Sequence, residues 1–361
     1  MADREDKRIK YLKKLKTPQE ILEELPLPVE SEKVVTQTRE EIQKVLDGKS
    51  QKLVVIVGPC SIHDPAGALD YANFIKSQKD LYADKLIIVM RTYFSKPRTT
   101  NGWKGLINDP DLNNTYNITK GIYIARKLLL DILKLGVPCS MEQLDTILPQ
   151  YFNDLLSWSA IGARTTESQV HRELASGISM PVGFKNTTNG NIDVAINGIQ
   201  AGIKEHSFIG CDMDGVLCEV QTKGNPYSHI ILRGSDSGPN YFPEIIKEVE
   251  DKLVSKELPL NIFVDFSHGN SRKKYQNQHE VAINISQQII HGNRSIKGVM
   301  IESNLVEGNQ SINNTPLVYG QSITDECINM EMTQMILEIM NHSMKCSNLY
   351  GEIKNITLTE G

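Results

Sequence analysis

The sequence predicts an α/β protein, a (β/α)8 TIM barrel with an N-terminal helical extension and an inserted antiparallel hairpin. Three observations predict it. Short apolar runs alternate with amphipathic helical stretches, the mark of a parallel sheet covered by helices. Nearly every run ends in an ionisable residue, as expected where strands deliver side chains to one catalytic face. A single Asp-Gly step between two extended runs interrupts the rhythm and signals a hairpin.

The first fifty residues read as helical arms. Thr17-Pro18-Gln19-Glu20 forms a capping box with proline in the first turn, and Ser31–Leu46 carries apolar residues at helical spacing until Asp47-Gly48 stops it. Ile9, Leu12 and Leu15 place an apolar stripe on an amphipathic helical segment before that. The predicted strands follow at Leu53–Val57, Leu86–Met90, Val137–Met141, Ala160–Ala163, Pro181–Phe184, His229–Leu232, Ile262–Val264 and Val299–Ile301. Between them lie helical patterns over Ala66–Lys79, Thr119–Leu135, Glu167–Ser176, Ile192–Ile203, Pro243–Lys256 and His279–His291, with a last helix over Asp325–Met344. The hairpin falls at 207–228, between the fifth and sixth barrel strands. The expected division is an arm over 1–50, a catalytic barrel over 51–345 and a tail over 346–361.

Composition narrows the function classes. The chain has 361 residues, 40% hydrophobic and 23% charged, which excludes disordered and fibrous classes. Its 39 Lys and Arg against 44 Asp and Glu leave a net charge of -5, without the basic excess that nucleic-acid binding draws on. Residues 1–16 are charged throughout and no run of apolar residues is long enough to span a bilayer, so no membrane association and a cytoplasmic location are expected. Six scattered cysteines without a CxxC pair read as reduced thiols.

The strand ends carry the chemistry: Gly58-Pro59-Cys60, Arg91, Glu142, Arg164, Lys185, Arg233, Asp265 with His268, and Glu302. Each cation alone would be an ordinary solvated residue. Several facing one cleft repel one another unless an anion binds, so the site suits phosphate and carboxylate groups. The loop from Lys96 to Gly105 adds cations and hydroxyls and reads as a second phosphate cradle or a lid. Barrel closure also brings the loops after strands one, seven and eight side by side. Cys60, His268, Glu302 and Asp325 then offer mixed S, N and O donors for Mn, Fe, Co, Zn or Cu.

Gly58-Pro59-Cys60-Ser61-Ile62-His63-Asp64, Lys96-Pro97-Arg98-Thr99-Thr100, Gly102-Trp103-Lys104-Gly105-Leu106-Ile107-Asn108-Asp109-Pro110, Ile161-Gly162-Ala163-Arg164-Thr165-Thr166-Glu167-Ser168 and Asp265-Phe266-Ser267-His268-Gly269-Asn270 stand in order. Over about residues 5 to 345 the chain closely resembles the class I 3-deoxy-D-arabino-heptulosonate 7-phosphate (DAHP) synthases, of the feedback-regulated type. The resemblance implies condensation of phosphoenolpyruvate with erythrose 4-phosphate, the first step of the shikimate pathway to aromatic amino acids. Arg91, Lys96, Arg164, Lys185 and Arg233 would hold phosphoenolpyruvate, and Arg98 and Thr99 the sugar phosphate. Cys60, His268, Glu302 and Asp325 would bind one divalent metal ion per subunit, and Lys96 and His268 would transfer protons. It further implies a homotetramer built as a dimer of dimers and an aromatic amino acid effector. Asp6, Ile9, Pro149, Gln150, Leu174, Ile178, Ser179, Phe208, Gly210 and Val220 match the effector positions. Gly210, where phenylalanine-sensitive members often carry serine, leaves room for the hydroxyl of tyrosine. The alternatives are a related 3-deoxy sugar acid synthase using another aldose phosphate, and a non-catalytic regulatory barrel.

Overall fold

The structure is a computed structural model that describes residues 8–98 and 102–359, with side chains as far as 347. Its strands are β1 (Leu53–Gly58), β2 (Leu86–Arg91), β3 (Cys139–Glu142), β4 (Leu156–Ile161), β5 (Val182–Lys185), β6 (Ser207–Cys211), β7 (Leu217–Gln221), β8 (Ser228–Leu232), β9 (Ile262–Asp265), β10 (Ile296–Glu302), β11 (Val306–Asn309) and β12 (Gln321–Ser322). Its helices are α1 (Pro18–Glu24), α2 (Val29–Leu46), α3 (Pro65–Leu81), α4 (Ile118–Lys134), α5 (Pro149–Phe152), α6 (Gln169–Gly177), α7 (Ile192–Gly202), α8 (Pro243–Ser255), α9 (Gln278–Ile290) and α10 (Met330–Thr359). Strands β1, β2, β3, β4, β5, β8, β9 and β10 are parallel and close into a barrel, with β1 paired to β10. The fold is the predicted (β/α)8 barrel.

Alternation along β1 shows how the core is divided. Leu53, Val55 and Val57 join the shell packed under the outer helices, whereas Val54 and Ile56 point into the barrel with Ile87, Val89, Trp158, Ile231, Phe263 and Met300. Ile42, Val45 and Leu46 of α2 plug that interior from below, so the N-terminal extension is also the floor of the barrel. The capping box at the head of α1 forms as predicted: Glu20 N donates to Thr17 Oγ1 (3.2 Å) and Thr17 N donates to Glu20 Oε2 (2.7 Å).

The hairpin β6–β7 is antiparallel, with Phe208 opposite Val220 and Gly210 opposite Cys218. Gln19 N donates to Met213 O (2.8 Å) and Gln150 Nε2 to Cys211 O (2.9 Å), which tie its turn to α1 and α5.

Several boundaries differ from the sequence expectation, each for a physical reason. The fourth barrel strand is 156–161 and not 160–163, because its buried serines broke the apolar run; Ser157 Oγ donates to Val35 O and Ser159 Oγ accepts from Gln143 Nε2. Residues 9–16 are not helical, and Ile9, Leu12 and Leu15 stand exposed. Asp325 lies in the loop before the last helix, which starts at Met330 and runs unbroken to Thr359 across position 345. Ser228 opens β8, so the hairpin strands end at Gln221.

Candidate active site

The βα loops surround a cleft of about 670 Å³ at the C-terminal face of the barrel. Lys96, Arg98, Arg164, Lys185 and Arg233 line it with Glu142, His268, Glu302 and Asp325. The sixth predicted cation, Arg91, lies beneath in the floor, fully buried, with Nη2 donating to Glu302 Oε1 at 3.0 Å. Five of six cations thus open into one cavity and the last supports a carboxylate under it. Thr99 and Asp6 lie outside the described residues.

Each side chain is set by its strand. Arg91, Lys185, Asp265 and Glu302 are the final residues of β2, β5, β9 and β10. All four are buried, and they neutralise one another in pairs. Lys185 Nζ sits 3.2 Å from Asp265 Oδ2 and 3.9 Å from Glu142 Oε2. Burial would raise the Asp265 carboxyl, but His268 and Lys185 outweigh it and hold the group well below its ordinary range. His268 Nδ1 contacts Asp265 Oδ2 (3.0 Å) and Ser267 Oγ (2.7 Å), so its Nε2 is left facing Glu302 Oε1 at 3.5 Å. Two glycines make room. A Cβ on Gly162 would sit 2.3 Å from Glu142 Oε1, and one on Gly102 would sit 2.7 Å from Arg98 Nε.

Cys60, Glu302 and Asp325 bring a thiol sulfur and two carboxylate oxygens within 4.8 Å of one another and form a possible metal site. His268, the fourth expected ligand, touches Glu302 but stands outside this close trio. The donor set fits a divalent cation. Burial, then Glu302, pushes the Cys60 thiol well above its ordinary pKa, so the cluster favours a positive charge at its centre. Lys96 supplies one: its Nζ donates to Cys60 Sγ at 3.0 Å. Burial would lower the Lys96 ammonium, but Cys60, Asp325 and Glu302 hold it protonated. Asp325 is opposed by burial, yet Lys96 and His268 draw its carboxyl down to about 2.

Sequence reasoning left five residues in or under the cleft without roles. Glu142 and Asp265 were visible as strand ends but unassigned, and the Asp236–Lys273 ion pair (3.0 Å) across the rim joins loops that no local spacing connects. Tyr93 could have been found, since it follows Arg91 by two residues and so shares its side of the chain.

A family model described as the DAHP synthetase I family matches residues 24–338. The chain is 50% identical to the phospho-2-dehydro-3-deoxyheptonate aldolase, Phe-sensitive, of Escherichia coli (strain K12), over 94% of this chain and 97% of that one. It is 47% identical to the Tyr-sensitive protein of the same strain, over 91% and 93%. A solved structure of phospho-2-dehydro-3-deoxyheptonate aldolase from Francisella tularensis SCHU S4 superposes with a TM-score of 0.92 at 47% identity, covering 94% of this chain and 99% of that one.

Proposed function

Because the chain belongs to the DAHP synthetase I family and is a DAHP synthase, we propose that it condenses phosphoenolpyruvate with D-erythrose 4-phosphate and water, giving 3-deoxy-D-arabino-heptulosonate 7-phosphate and inorganic phosphate. The observation that carries this reading is the convergence of Lys96, Arg98, Arg164, Lys185 and Arg233 with Cys60, Glu302 and Asp325 at one barrel mouth. Such a site takes two anions and a cation together.

In this reading Arg91, Lys96, Arg164, Lys185 and Arg233 bind the phosphate and carboxylate of phosphoenolpyruvate, and Arg98 with Thr99 binds the phosphate of the sugar. Fixing both substrates converts the bond-forming step into an intramolecular one. The enol carbon forms a bond to the aldehyde carbon, water adds to the neighbouring carbon, and the C–O bond to phosphate breaks. Lys96, held as an ammonium at the thiol, donates a proton to the developing alkoxide. His268, oriented by Asp265 and Ser267, presents Nε2 toward the metal position beside Glu302, so any proton it moves passes through Nδ1. Cys60, His268, Glu302 and Asp325 would hold a divalent ion, which would supply Lewis-acid polarisation of the aldehyde oxygen.

The hairpin and arm serve regulation in the same reading. Phe208, Gly210 and Val220 lie half-buried on one face of β6–β7, and Gln150 is bonded to the hairpin at Cys211 O; together with Pro149, Leu174, Ile178, Ser179 and Ile9 they would form the effector site. An aromatic amino acid is the effector, tyrosine on the strength of glycine at position 210, and a cytoplasmic tetramer is the working form. If neither tyrosine nor phenylalanine binds or inhibits, this regulatory reading fails.

Phosphate release tests the activity. It is expected to require both substrates, to stop with a chelator, and to vanish in Cys60→Ala with the unfolding transition retained. Full activity of the chelator-treated variant sinks the assignment of Cys60.

A further inference from the structure

Two donors buried beneath the cleft, near its lining residues Glu142 and Lys96, have no hydrogen-bond partner among the described residues: Arg91 Nη1 and the Tyr93 hydroxyl. Resting on the reading above, we propose that Tyr93 is a substrate-contacting residue whose hydroxyl donates, beside Arg91, to an anionic oxygen of phosphoenolpyruvate.

The position is built. The Arg91 guanidinium carbon lies 4.0 Å from the centre of the Tyr93 ring, so the ring holds the charged plane by a cation–π contact. The backbone around Tyr93 is pinned on two sides, with Ile62 N donating to Tyr93 O (2.9 Å) and Thr92 N to Ser140 O (2.9 Å). Tyr93 is only 2% exposed, which leaves the hydroxyl little freedom to turn toward solvent. Burial raises the phenol above its ordinary pKa against the pull of Arg91, so it stays a donor.

A buried hydroxyl without an acceptor is destabilising, and phenylalanine would fill the same space without that cost. Tyrosine here makes sense if an acceptor arrives with the ligand. The nearby carboxylates do not serve, because neither Asp265 nor Glu142 accepts a hydrogen bond from the Tyr93 hydroxyl. An acceptor placed beside a guanidinium and close to Lys96 carries negative charge, as a carboxylate or phosphate oxygen does.

Tyr93→Phe keeps the ring over Arg91 and removes only the donor. Three quantities are measured beside the wild type: thermal stability without ligand, affinity for phosphoenolpyruvate and for inorganic phosphate by calorimetric titration, and steady-state turnover. Stability is expected to hold or rise, while phosphoenolpyruvate binds roughly 10-fold or more weakly. Parallel weakening of inorganic phosphate marks the acceptor as the phosphate; weakening of phosphoenolpyruvate alone marks the carboxylate. A variant that is less stable without ligand, or fails to fold, identifies a structural hydroxyl and overturns the proposal. Unchanged affinity in the variant, with a wild type that binds and turns over, overturns this assignment alone. A wild type that does not bind phosphoenolpyruvate overturns the reading of the cleft and this assignment with it.

Discussion

Two layers of the barrel interior are equally buried and chemically opposite. In the lower one Trp158 stacks on Phe263 (centroids 5.9 Å apart, 3° between planes) and His229 tilts against Phe263 at 4.3 Å. At the strand ends above it, Arg91, Lys185, Asp265 and Glu302 are just as hidden from solvent, yet all can carry charge. Burying charges costs several kcal/mol per ion after relaxation, and pairing them repays this only with good geometry. A well-packed apolar layer would hold the strands as firmly. The difference teaches that the upper layer is kept for the chemistry of the mouth, whereas the lower one holds the barrel shut.

The sharpest way to break that contrast is to remove one charge from the upper layer. Arg91→Met leaves Glu302 buried with its main cation gone, which is expected to cost about 3–5 kcal/mol by urea denaturation and to abolish turnover. Adding Glu302→Gln should restore most of the stability and none of the activity. If the double variant turns over normally, the pair is structural and the contrast collapses. In the lower layer the signature should be reversed. Phe263→Ala removes the ring packed against both Trp158 and His229, leaving a cavity that costs about 3–5 kcal/mol, while the KM values of the remaining folded enzyme stay where they were. A large rise in KM would show that the two layers are not separable.

The contrast also explains what the sequence could and could not tell. Strand runs such as Leu53–Val57 were legible because barrel strands buried on both faces read as continuous apolar text. Arg91, Arg164, Lys185 and Arg233 were legible because each sits one step past a predicted run. The fourth strand was misplaced because Ser157 and Ser159 satisfy their hydroxyls inside the fold, which no periodicity shows. Asp325 was assigned to a helix because its loop is followed at once by helical spacing. The pairing of Lys185 with Asp265, or Lys96 with Cys60, joins residues far apart in the chain, so only closure of the barrel reveals which charges neutralise which.

The smallest expected effect concerns the one titratable group in the aromatic layer. His229 Nδ1 donates to Tyr227 O (2.9 Å), so Nε2 is the acceptor for Trp158 Nε1–H at 3.2 Å. A proton on Nε2 would face another N–H in a dry site. Burial therefore lowers the His229 pKa from 6.5 to about 4, with the bond to Tyr227 O opposing. The sign follows from where the protons go. Between those values the unfolded chain binds a proton and the folded one does not, so stability is at its full value above pH 6.5 and declines as the pH falls toward 4. The full span is worth about 3 kcal/mol at most. His229→Gln offers Trp158 an amide oxygen and cannot titrate, so its urea midpoint should fall less steeply than that of the wild type across this window. Identical slopes in both proteins would mean that acid enters through the charged layer alone, and that His229 plays no part in the barrel's response to pH.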